Sequence, residues 1–150
     1  MKLVRSDGGR AAAGFAGTGD DCVCRAIALA APRPYAEVYS ALAEGHATQR
    51  RSKRQMRCPS GKPRTASHGI DTTRRWFKGY MMGLGFAWTP TMAIGIGCTV
   101  HLADGELPDG RLVVLVSRHV VAVIDSVIFD RHDPRRDGRR CVYGFWRKVV

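Results

Sequence analysis

From Asp21 onward the apolar positions change their period once along the chain. In "DDCVCRAIALAAPRP" Val23, Ala26, Ile27 and Ala30 recur at spacings of three and four, which is one face of a helix. Asp21 stands where a cap belongs, and Pro32 ends the run. A second helix is expected from Pro34, with Tyr35, Val38, Tyr39 and Leu42 on one side and Gly45 near its end. A third is expected behind Asp71 as its cap, with Trp76, Tyr80, Met81 and Leu84 on one face before "GLG" stops it. Downstream the period shortens to that of strands. The segments "FAWTP", "TVHL", "RLVVLVS", "HVVAVID", "VIFD" and "CVYGFWRK" are rich in Val, Ile and aromatics and bounded by Gly, Asp or Pro. Helices first and strands afterwards predict an α+β fold, with N-terminal helices packed on a C-terminal antiparallel β-sheet.

Two stretches lie outside this pattern. Residues 1–19 carry five glycines and little periodicity, and read as a flexible lead-in. The stretch 46–69 is basic and nearly free of apolar residues, and reads as a long exposed loop. Residues 20–150 are then one domain carrying that loop. A chain of 150 residues supports a single core, burying roughly 70% of the surface its unfolded form exposes.

Charge narrows the partners. Lys and Arg number 24 against 13 Asp and Glu, a net +11, which suits nucleic acid, an anionic surface or an acidic protein. Arg50, Arg51, Lys53, Arg54 and Arg57 in the loop are the candidate nucleic-acid contacts, or an exosite for an acidic protein. No aromatic residue is interleaved among them, which argues against base stacking. The uncharged stretch between Lys78 and Asp104 is long enough to span a bilayer, but five glycines and Pro90 break it. A helix end, a loop and strands are expected there, and no membrane partner. No signal peptide is expected at the N-terminus. Five cysteines, an odd set without CxxC pairs, predict reduced thiols and a cytoplasmic protein, with Cys141 in the core. Cys22, Cys24, Cys58, His68, Cys98 and His101 lack zinc-site spacing, so no metal or other cofactor is expected.

Cys22 is placed unusually, in the first turn of a helix, where the positive end of the helix dipole favours thiolate. Most free cysteines are small buried hydrophobes, so position alone does not make it a nucleophile. The hairpin "SRHVVAVIDSVIFDRHDP" adds to it. With Asp125 and Ser126 as a two-residue turn, Ile124 pairs with Val127 and Val121 with Asp130. His119 and Asp130 become diagonal neighbours on one face. A carboxylate there fixes the imidazole tautomer and leaves the other ring nitrogen for a nucleophile. A longer turn would put Asp133 in its place.

A Cys opening the first long helix, a His starting a strand and an Asp closing the next resemble the papain-like cysteine peptidase superfamily, and within it the small bacteriocin-processing peptidases. Short phage and bacterial proteins are similar. The matching segments are "DCVCRAIALA" at 21–30, "PYAEVYSAL" at 34–42, "GCTVHL" at 97–102, and "GRLVVLVSRHVVAVIDSVIFDRHDP" with "RCVYGFW" at 110–146. The resemblance implies a papain-like fold and a thiol hydrolase, a peptidase or isopeptidase on a peptide or protein substrate. It makes Cys22 the nucleophile, His119 the general base and then acid, and Asp130 the orienting residue, with an acyl-thioester intermediate. If phage-encoded, the enzyme would work in the host cytoplasm. The family's Gln or Asn ahead of the cysteine is missing: the chain has no Asn, and its first Gln is Gln49. The oxyanion hole would then use the Cys22 amide and Thr18. The alternative is the same scaffold without turnover, as a basic nucleic-acid-binding or virion-associated protein.

Overall fold

A computed structural model describes residues 1–17, 19–48, 66 and 69–150. The described elements run β1 (Lys2–Arg5), α1 (Cys22–Ala30), α2 (Tyr35–Thr48), α3 (Arg75–Gly83), β2 (Phe86–Pro90), β3 (Arg111–Val116), β4 (His119–Ile124), β5 (Val127–Asp130) and β6 (Val142–Lys148). The six strands form one sheet in the order β1-β5-β4-β3-β6-β2. The fold is α+β, as expected, but the sheet is mixed. β1 runs parallel to β5, with Leu3 opposite Ile128 and Arg5 opposite Asp130. The other pairings are antiparallel.

At β3 and β4 both sheet faces are covered, which explains why "RLVVLV" and "HVVAVI" read as continuous apolar runs rather than alternating ones. One face, through Val113, Val120, Ala122 and Trp146, packs on the helices. The other, through Leu112, Val114, Val121, Val123, Ile128 and Phe145, is covered by Leu102 and Leu107 from the segment before β3. Helix α1 lies across β4 in the middle of this arrangement, and all but Cys22 and Leu29 of its residues are buried.

Several expectations are corrected. Residues 1–17 do not run free: they supply the edge strand β1, and Arg10 is buried at 7% exposure. Phe15 packs against Tyr35 and Tyr39, ring centroids 5.3 and 4.4 Å apart. Asp21 occupies the cap position of α1 by its backbone, its carbonyl accepting from the Arg25 N–H at 3.0 Å, but its side chain makes no cap hydrogen bond. The third helix starts at Arg75, because Asp71 folds an Asx-type turn instead, accepting from the Thr73 amide at 3.0 Å. Its buried stripe is Phe77 and Met81, with Trp76, Tyr80 and Leu84 beside it. Gly45 stands in the last turn of α2, near its end as expected, where a Cβ would meet the Trp76 indole at 2.2 Å. "TVHL" makes only an isolated bridge, His101 to Cys141. Cys98 and Cys141 are joined in a disulfide, against the expected reduced thiols and against a core position for Cys141. The uncharged stretch 79–103 divides into the end of α3, β2 and a loop, and no helix among the described residues is long and apolar enough to cross a membrane.

Candidate active site

The hairpin register is the one the sequence predicts. Asp125 and Ser126 both take positive φ, 47° and 65°, as a two-residue type I′ turn requires. Ile124 then faces Val127, and Ala122 faces Phe129. Asp130 therefore ends β5 beside the start of β4. His119 is the first residue of β4, opposite Val116 across the Ser117–Arg118 turn. Helix α1 packs on β4 with its N-terminus at this end of the sheet.

Three side chains meet there. His119 Nε2–H donates to Asp130 Oδ2 at 2.5 Å. Cys22 and His119 line the same groove, and Cys22 is near enough to help raise the pKa of the imidazole. With Nε2 given to the carboxylate, Nδ1 is the nitrogen left for the sulfur. Burial lowers the His119 pKa, but the bonds and charges of Asp130 and Cys22 outweigh it and raise it to about 9. Burial likewise works against the Asp130 carboxylate. The His119 hydrogen bond, the His119 charge, the Arg131 amide at 2.7 Å and the Arg25 guanidinium together hold its carboxyl below the usual range. Asp133 is not on the imidazole. It faces solvent and pairs with Arg135 at 2.7 Å, which lowers its pKa to about 2.

Behind the three lies a buried chain of charges. Arg25 contacts Asp130 Oδ1 at 3.5 Å with one nitrogen and Asp21 Oδ1 at 2.5 Å with another. Asp21, fully buried, also accepts from the Tyr35 hydroxyl at 2.5 Å and from Arg10 at 3.3 Å. An unpaired carboxylate at Asp21, next in the chain to Cys22, would oppose a thiolate there. Asp21 pairs with Arg25 and with Arg10, so its charge is matched before it reaches the sulfur. Sequence reasoning missed the link from Arg25 to Asp130, because only the packing of α1 on the sheet brings the residue four after Asp21 near the end of β5.

Cys24 has the opposite setting. It is fully buried, and desolvation pushes its thiol up to about 12. Beside Cys22 a groove of about 500 Å3 opens between the start of α1, the segment around Ile70 and the end of the sheet. Its lining is mainly apolar, with Ile70, Trp88, Leu115, Val120 and Tyr143, and its carboxylates are Asp20 and Asp71. A smaller recess of about 130 Å3 continues past Trp88 to Trp146 and Lys78. Tyr143 reaches the groove because the register of β3 on β6 jumps from Gly144 to Val142, a bulge that skips it. Gly144 is required next to it: a Cβ there would lie 2.3 Å from the Trp88 indole.

The Cys22 amide begins α1, among the amides that have no partner within a helix and are free to donate to an anion. Thr18, the other expected oxyanion donor, lies outside the described residues, as do Arg50, Arg51, Lys53, Arg54 and Arg57. Comparison of the chain with known proteins found no matching family model, no matching curated protein and no matching solved structure.

Proposed function

We propose that the protein is a papain-like thiol hydrolase, a peptidase or isopeptidase, in which Cys22, His119 and Asp130 act as nucleophile, general base and acid, and orienting carboxylate. The observation that carries this reading is the His119–Asp130 hydrogen bond at 2.5 Å, with Cys22 beside the same imidazole on the wall of one groove. In the proposed cycle the Cys22 sulfur attacks the acyl carbonyl and the Cys22 amide stabilises the oxyanion. The His119 imidazolium then protonates the departing amine, leaving a thioester on Cys22. Water attacks that thioester while His119 takes its proton, and the carboxylic acid and free thiol are released. Asp130 holds the ring and its charge throughout.

Net charge of +11 favours the second reading, a scaffold without turnover that binds nucleic acid. Against it, the groove beside Cys22 is mainly apolar and carries two carboxylates, Asp20 and Asp71, against one arginine, Arg118, a poor track for phosphates. An activated acyl ester separates the two. The hydrolase gives a burst and an acyl adduct on Cys22 by intact mass, absent in Cys22→Ala; a scaffold without turnover gives neither. Since a lost oxyanion donor costs on the order of 10²–10³ in rate, the burst is a better readout than steady-state turnover.

A further inference from the structure

Away from the groove, the Cys98–Cys141 disulfide ties the loop after β2 to the start of β6. Cys98 is exposed and Cys141 half-buried, so the bond is open to small solutes. His101 lies against it, with Nε2 3.6 Å from Cys98 Sγ. The other ring nitrogen, Nδ1, is 3.1 Å from Glu106 Oε1, and the same oxygen accepts the His101 backbone N–H at 3.2 Å. A carboxylate only accepts, so Nδ1 carries the hydrogen and Nε2 is turned to the sulfur. The hydrogen bond from His101 is also the main cause that holds the Glu106 carboxyl below its usual range. Sulfur, imidazole and carboxylate thus follow in the same order as at Cys22, with a bonded sulfur in place of a thiol.

The backbone frames the two cysteines independently of their bond. Val142 N–H donates to Val100 O at 2.8 Å, and Leu102 N–H to Arg140 O at 2.8 Å, one on each side of the bridge between His101 and Cys141. The Thr91 hydroxyl adds a bond to Val142 O at 2.6 Å. A tie across segments already fastened in this way adds little constraint. Sulfurs that stay side by side when their bond opens are, however, what reversible exchange needs.

We propose that Cys98–Cys141 is a thiol-exchange site, opened and closed by a small thiol of the glutathione class, with His101 as its acid and base. The incoming thiolate attacks Cys141 Sγ and forms a mixed disulfide. The bond to Cys98 breaks, its electron pair stays on Cys98 Sγ, and imidazolium His101 gives that sulfur its Nε2 proton. A second small thiolate then attacks the small-thiol sulfur of the mixed disulfide, and Cys141 leaves as a thiolate that takes a proton from water. Two small thiols are oxidised to their disulfide as the protein disulfide takes up two electrons. In the closing direction neutral His101 removes the Cys98 proton, and the thiolate displaces the small thiol from Cys141.

The test uses the full chain carrying Cys22→Ala, so that the result does not depend on the hydrolase reading. The protein is treated with millimolar reduced glutathione, acid-quenched, alkylated and mapped by mass. The expected result is an adduct on Cys141 with Cys98 free. His101→Ala should open roughly tenfold more slowly, and Glu106→Gln should fall between. The double variant Cys98→Ser, Cys141→Ser should keep the wild-type circular dichroism, because the backbone frame remains. Failure to open at millimolar glutathione, an adduct on Cys98, opening of both His101→Ala and Glu106→Gln at the parent rate, or loss of fold in the double variant would each overturn the proposal.

Discussion

Cys22 and Cys24 stand two positions apart in one helix, and their settings differ in ways that decide their chemistry. Cys24 is desolvated among apolar neighbours, which favours its neutral form, while Cys22 borders the groove with an imidazole against it. The raised His119 pKa has a testable consequence. Its folded value of about 9 lies above the usual 6.5, so the stability it contributes is fully present below pH 6.5 and is lost as pH rises through 9. NMR of the imidazole should give a midpoint near 9, moving down toward 6.5 in Asp130→Asn; a wild-type midpoint at 6.5 would contradict the geometry. Asp130, with its pKa lowered, contributes in the opposite sense: its share is present above the usual 3.8 and is lost as pH falls through the lowered value. In the hydrolase reading Asp130→Asn also lowers kcat, on the order of 10²–10⁴, with KM little changed. His119 and Asp130 were legible as neighbours because a two-residue turn and a period of two fix which strand positions meet, whereas Cys22 was legible only as the residue that opens a helix. Asp133 was the alternative to Asp130 only while the turn length stayed open.

At the scale of elements, the first 17 residues were the part least legible. Four strand residues beside four glycines give no periodic signal, and β1 is specified by its partner β5, more than 120 positions away. Gly8 shows what the segment does. It has φ +70°, and a Cβ there would come within 2.8 Å of the Arg25 Cα, so the chain passes directly over α1 at this point. Gly8→Ala is expected to cost about 1–3 kcal/mol, measured by urea unfolding, through strain at positive φ together with the clash. The disulfide escaped for a related reason: Cys98 and Cys141 are separated by 43 positions and meet only through the pairing of the β2–β3 connection with β6. Gly144→Ala tests the groove wall. It pushes the Trp88 indole aside, and the expected result is a shifted tryptophan emission with Cys22 still labelled by small electrophiles.

For the molecule as a whole, the site is held by a charge chain running from Arg10 through Asp21 and Arg25 to Asp130 and His119. Such buried chains are balanced only when complete. Asp21→Asn leaves Arg10 and Arg25 facing one another without their carboxylate, an expected loss of about 3–5 kcal/mol in urea unfolding. Deleting residues 1–12 removes both β1 and Arg10, and should lower stability and loosen the site together; a truly free lead-in would leave both unchanged. The alternation of periods made the α+β class legible, but not the mixed sheet, because parallel pairing is decided by where the chain returns and not by any local pattern. The most direct measurement concerns the sulfur itself. The full chain is given substoichiometric iodoacetamide at neutral pH and mapped by mass, beside His119→Ala. Cys22 is expected to be labelled well ahead of every other free thiol, and the preference to disappear in the variant. Equal labelling of the free thiols, or a preference that survives without His119, would contradict that expectation.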